Sequence, residues 1–150
     1  MDDQGNRRFN FYMMTLLQCA RQEWEDHTTP HPKNHPVGKK IHVHEFRKYG
    51  QAIAWLEWGG DYIEITKLET LQPYGGGPAR LVEFLKTLAD KYQVQLQGRV
   101  RAYRPDPPIP EGHLLTKAQL ESFYEKHGFQ LCKIDADTSE MSYIPPTPAF

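Results

Sequence analysis

The sequence predicts an α+β fold on one mixed sheet: an N-terminal helix, an antiparallel meander, one parallel β-α-β crossover, a short helix and a terminal β-hairpin. Three observations carry that prediction. Alternating apolar residues between 41 and 71 are broken by short glycine turns, which join neighbouring strands antiparallel. An amphipathic helical pattern from 78 to 92 stands between two strand patterns, and strands linked through a helix run parallel. Helical spacing returns twice more, before 24 and after 116.

Asn10 to Trp24 reads as the first helix, with Phe11, Met14 and Leu17, and Leu16, Ala20 and Trp24, at helical spacing. The segment HTTPHPKNHPVG (His27–Gly38) holds three prolines, which exclude regular structure and predict a loop. In the first meander strand Ile41, Val43 and Glu45 face one way and His42, His44 and Phe46 the other. Lys48-Tyr49-Gly50 supplies a turn. Ala52, Ala54, Leu56 and Trp58 then alternate with Ile53, Trp55 and Glu57, and Gly59-Gly60-Asp61 turns the chain into YIEITKLETL (Tyr62–Leu71). In that third strand Ile63 and Ile65 keep alternation, but the next large apolar residues are Leu68 and Leu71. The parity changes near Thr66-Lys67, which either a β-bulge or an early strand end produces.

Pro78 suits a first helical position, and Leu81, Leu85, Leu88 and Tyr92, with Val82 and Phe84, form the apolar face of a helix through Tyr92. Val94, Leu96, Val100 and Ala102 alternate with polar residues as a strand. RPDPPIPEGH (Arg104–His113) is a Pro-rich extended connection. Thr116 with Gln119 matches a capping box; Leu120, Phe123 and Tyr124 form the helix's apolar face and Gly128 its C′ residue. QLCKI and MSYI flank a polar turn as the closing hairpin, and 145–150 is a flexible tail.

A chain of 150 residues with 39% apolar and 25% charged residues fits a single globular domain over 1–150. A net charge of −1 argues against a nucleic-acid or membrane-surface partner, and no apolar run reaches the roughly 18–20 residues of a membrane span. Cys19 and Cys132 read as reduced, buried thiols of a cytoplasmic protein, monomer or homodimer. His27, His31, His35, His42 and His44 lie close in sequence. The interleaved prolines exclude a helical metal face, no cysteine or carboxylate completes a ligand set, and no metal is expected.

The stretch QPYGGGPAR (Gln72–Arg80) joins the third strand to the crossover helix. It is not a P-loop, because Pro-Ala-Arg replaces the Gly-Lys-Ser/Thr that holds phosphate and magnesium. It is not a dinucleotide fingerprint, because Arg80 stands where the third glycine belongs and no acid lies near Gln95–Gln97. Gln72, Gly75 and Gly77 match Q/R-x-x-G-x-G/A, and FYEKHGF (Phe123–Phe129) matches a Y-x-x-x-G-F string before the final hairpin. In these motifs and in element order from Ile41 to Ile144, the chain resembles the GNAT family of N-acetyltransferases.

That resemblance implies acetyl-CoA as co-substrate and direct acetyl transfer to a primary amine, whose identity it leaves open. Leu71, Gln72, Tyr74, Gly75, Gly76, Gly77, Ala79 and Arg80 would bind the cofactor, with backbone N–H groups at a helix N-terminus holding its pyrophosphate. In the family a bulged strand opens beside its parallel neighbour, pantetheine lies in the opening, and an N–H polarises the thioester carbonyl. Tyr124 matches the tyrosine general acid that protonates the departing thiolate; read without the resemblance, it is a core tyrosine. Glu64 and Glu69 lie on the strand where the family often holds its base. A bulge between them is expected to point only one into the acceptor cleft, with Glu69, nearer the cofactor, preferred. The His-rich loop would line the acceptor groove; Trp55, Trp58 and Tyr62 either join it or, as the first reading, pack in the sheet core; and Arg99, Arg101 and Arg104 form a basic stripe, solvated by default or else facing an acidic acceptor or the cofactor's phosphate. The chain departs from the family in Gln72 for the usual arginine, in Pro78, in the Pro-rich segment where an asparagine is common, and in lacking a clear first strand. The alternative is an inactive GNAT-fold binding or structural protein of viral or mobile-element origin.

Overall fold

The computed structural model describes residues 15–31, 46–72, 76–101 and 116–147. The expectations for 10–14, 32–45, 73–75, 102–115 and 148–150 lie outside these residues. The described chain runs α1 (Thr15–Asp26), β1 (Thr29–Pro30), β2 (Phe46–Tyr49), β3 (Ala52–Gly59), β4 (Tyr62–Thr70), α2 (Gly77–Tyr92), β5 (Gln95–Val100), α3 (Lys117–Lys126), β6 (Gln130–Lys133) and β7 (Ser139–Tyr143). The strands form one mixed sheet in the order β1-β2-β3-β4-β5-β7-β6. Only β4 and β5 pair in parallel, as the intervening helix requires. No helix among the described residues is long and apolar enough to cross a membrane.

Alternation along the strands gives the sheet two unlike faces. One carries Ala52, Ala54 and Leu56 from β3, Ile63 and Ile65 from β4, Leu96 and Val100 from β5, and Met141 from β7, all buried in one core with the helices. Helix α2 contributes Leu81, Val82, Leu85 and Leu88, each 0% exposed, and burial of this kind stabilises by about 1.5–3 kcal/mol per side chain. Helix α1 adds Ala20 and Trp24, with Leu17 alongside, whereas Leu16 stays 56% exposed and does not share the apolar stripe expected of it. Trp24 stacks on Phe84 of α2 at 6.1 Å, while Glu23 accepts from Lys91 and Tyr92 at 2.7 Å each.

Helix α3 lies on this same face. Its His127 bonds Glu83 of α2 (2.6 Å), and its Glu121 accepts from Ser139 of β7 (2.6 Å). Thr116 and Gln119 form the reciprocal capping box expected from their spacing, at 3.1 and 2.8 Å. Gly128 takes φ +87° just past the helix, a conformation that glycine adopts without strain.

Three local expectations give way. Lys48 and Tyr49 belong to β2, and the turn is Gly50-Gln51, where Gly50 takes φ +58°. A positive φ at the first turn position is what a two-residue hairpin demands, so glycine sets the turn. Thr29-Pro30 is not loop but a short strand, paired with Lys48 and Arg47. A proline is tolerated there because β1 is the sheet's edge, and Arg47 pins the segment by donating to Thr28 Oγ1 (2.7 Å), Thr28 O (3.0 Å) and Glu25 O (3.2 Å). Cys132 is exposed and Cys19 only half-buried, and both are free.

Candidate active site: a split sheet beneath a glycine helix start

The parity change in β4 is a bulge. Across β3, Trp55 pairs with Lys67 but the next residue, Leu56, pairs with Ile65, so Thr66 is the extra residue. The strand does not end early; it runs on to Thr70, and Leu68 returns to the helix-covered face opposite Ala54. The bulge has a second effect. β4 and β5 pair from Tyr62↔Gln95 to Ile65↔Gly98 and no further, while β5 continues along β7 to Val100↔Ser139. Past Ile65 and Gly98 the two parallel strands therefore part, leaving edges that no ladder fills among the described residues.

Gly98 is the pivot of that split. A Cβ built there would stand 2.8 Å from the Ile65 carbonyl oxygen and 2.6 Å from Met141 Cε. The methionine end can swing away, but the carbonyl moves only with β4. Gly98→Ala is expected to cost about 1–3 kcal/mol, read as a lower urea midpoint; an unchanged midpoint would show that β4 yields freely.

Strand β4 leads from the split to the start of α2. Gln51 anchors both sides of this connection. Its carbonyl accepts from Leu71 N–H at 2.8 Å, and it lies 2.6 Å from where a Cβ on Gly77 would stand. Thr70 Oγ1 donates to the Gln72 carbonyl at 2.5 Å. Gly76 is the helix N-cap, at φ +70° with no side-chain cap, and Gly77 is buried against the β2–β3 turn. Arg80 N–H donates to Gly76 O at 3.2 Å. Among the described residues nothing accepts from the first helical N–H groups, and proline has none to offer, so the turn presents Gly77 and Ala79 as donors. No acidic side chain lies in this turn, and Arg80 is exposed. The helix start is thus electropositive, and its N-cap residue supplies no side-chain cap. Tyr74 and Gly75 lie outside the described residues.

Tyr124 is the one buried residue of α3, 5% exposed. Its ring meets Phe123 and Phe129 edge-on, each at 5.2 Å. No described residue hydrogen-bonds its hydroxyl, and burial alone raises its pKa well beyond the usual tyrosine value. Near neutral pH the hydroxyl is therefore a donor.

The glutamates are arranged differently from expectation. The bulge between them puts both Glu64 and Glu69 on the helix-free face: Glu64 pairs across from Glu57, Glu69 from Ile53, and Glu57 and Ile53 share one face of β3. Five residues of plain strand would have separated them; the extra residue restores their parity. Burial, and then the charge of Glu57 directly opposite, raise the Glu64 pKa above the ordinary carboxylate value, with Arg99 acting the other way. Trp55 lies on this face too, edge-on to Phe46 at 5.6 Å with Lys67 Nζ 5.3 Å from its ring centre, whereas Trp58 packs on the core face. His27 bonds the Glu23 carbonyl (2.8 Å) and tilts against Phe84, a helix-end role.

Sequence reasoning overlooked Glu57 and the concavity of about 440 Å³ on the helix-free face, lined by Glu64, Gln97, Arg99, Gln130, Glu140 and Ser142 among others. Only strand order brings these residues from four strands together. The signal within reach was the polar alternation along β5 and β7, which marks a solvated face but not its neighbours.

No family model matches the chain, and no curated protein matches it. Among solved structures it is similar to the crystal structure of the anti-CRISPR protein AcrVA5, at 16% identity over 62% of this chain and 92% of that one, with a TM-score of 0.47. That level of similarity identifies neither a family nor an activity.

Proposed function

We propose that this protein is an acyl-CoA-dependent N-acetyltransferase of the GNAT type. The observation that carries the reading is the parting of β4 from β5 at the Thr66 bulge, in a strand that leads directly to an uncapped glycine helix start. An opening between parallel strands can seat an extended arm through backbone hydrogen bonds, and a helix N-terminus at its end suits a pyrophosphate. In acetyl-CoA those two features are covalently joined.

The N–H groups of Gly77 and Ala79 would hold phosphate oxygens, with Arg80 beside them. Backbone N–H groups freed beyond Ile65 would polarise the thioester carbonyl. Glu64 would take a proton from the acceptor amine, whose nitrogen forms the new bond to the acetyl carbon as the C–S bond breaks. Its raised pKa makes it a better base than an ordinary carboxylate. Tyr124 would meet the departing thiolate from the helical face, by hydrogen bonding rather than full proton transfer. Even an unperturbed tyrosine, near 10, is about 2 kcal/mol uphill as an acid toward a thiol near 8.5, and burial makes Tyr124 weaker still. The thiolate then takes its proton from water.

Titration calorimetry with acetyl-CoA tests the reading. Binding is expected in the micromolar range, weakened at least about tenfold by Gly76→Val, because a β-branched residue at a positive φ is strained and would shift the turn. No heat at millimolar cofactor would remove the acetyltransferase reading and leave the fold as a binding scaffold.

A further inference from the structure

The helix-free concavity has an unusual charge arrangement. Arg99 of β5 and Glu140 of β7 stand directly opposite in register, yet no ion pair joins them among the described residues. Glu64 lines the same concavity from β4, opposite Gln97. Strand spacings of about 4.8 Å and rises of about 3.4 Å put the Glu64 and Glu140 backbones on the order of 12 Å apart, a gap their side chains shorten. The Gln97 amide and the Ser142 hydroxyl stand between with neutral hydrogen-bonding groups, and the Gln130 amide borders the concavity from β6. A volume of about 440 Å³ is that of a small-molecule site.

The geometry points to a diamino acid as the ligand of this concavity, with its carboxylate on Arg99, its adjacent α-ammonium on Glu140 and its side-chain amine at Glu64. Neighbouring charges of opposite sign match the two groups on one α-carbon. Glu64, some distance away with Glu57 directly opposite on β3, matches a terminal amine. A simple diamine would bring no anion for Arg99, and a monoamino acid would leave Glu64 unmatched. As the acetyl acceptor, a role that rests on the function proposed above, the ligand would present its side-chain amine to Glu64 one residue before the strands part at Ile65 and Gly98.

Calorimetry of the full chain without acyl-CoA tests the binding itself, using L-lysine against cadaverine, which lacks the carboxylate, and norleucine, which lacks the second amine. L-lysine is expected to bind at least about tenfold more tightly than either. Arg99→Gln should abolish its advantage over cadaverine, Glu140→Gln should weaken it similarly, and Arg99→Lys should retain most of it. Both positions are exposed, so these variants are expected to fold, which far-UV circular dichroism checks. Equal binding of all three probes, no binding of any, or an L-lysine affinity unaffected by Arg99→Gln would overturn the assignment. Lysine binding without acetyl-CoA binding would sink the transferase reading alone; acetyl-CoA binding without lysine binding would sink the diamino-acid site alone.

Discussion

Tyr124→Phe is expected to slow acetyl transfer about 10²-fold, with acetyl-CoA affinity and thermal stability little changed. Phenylalanine keeps the ring and its edge-on contacts with Phe123 and Phe129, and no described group hydrogen-bonds the hydroxyl that is lost. In the proposed transfer the hydroxyl would meet a developing thiolate, and its loss would remove charge stabilisation in a water-poor setting. Unchanged turnover would leave Tyr124 a packing residue; a marked fall in melting temperature would show that its hydroxyl has a partner in the resting protein.

Glu64→Gln should lower turnover by about 10²–10⁴-fold, and the pH profile should show why. With Glu64 held above the ordinary carboxylate range by burial and Glu57, wild-type activity should climb with pH through that raised value. Glu57→Gln removes the opposing charge and should move the climb to lower pH. Stability should run the other way. A carboxyl that binds its proton more tightly folded than unfolded favours folding at low pH. That contribution is lost as pH rises from the ordinary glutamate value through the raised one. Glu64→Gln should therefore flatten this part of the stability–pH curve and be no less stable at neutral pH. A loss of turnover with Glu69→Gln instead would move the base past the bulge.

The residues themselves announced much of this architecture. Thr116 and Gln119 specify a helix start because a capping box closes within four residues. Leu81, Leu85 and Leu88 specify the buried stripe of α2 because helical period is a local property. The same locality misled at the first hairpin. Lys48 and Tyr49 read as turn beside Gly50, but pairing with Ile53 and Ala52 draws both into β2. Thr29-Pro30 was equally unreadable, since a proline is excluded from a central strand and admitted at an edge, and nothing local says which strand is the edge.

By itself the sequence determined the mixed α+β class, the glycine start of α2 and a break in alternation between Ile65 and Leu68, all consequences of spacing along one stretch of chain. Tertiary structure decided that the break is a bulge, that it lets β4 and β5 part, that Glu64 and Glu69 share a face, and that Arg99, Glu140 and Glu64 surround one concavity. These depend on register between strands distant in sequence. One residue of slip reverses every side chain, so no single strand carries enough information to say which way its own side chains point.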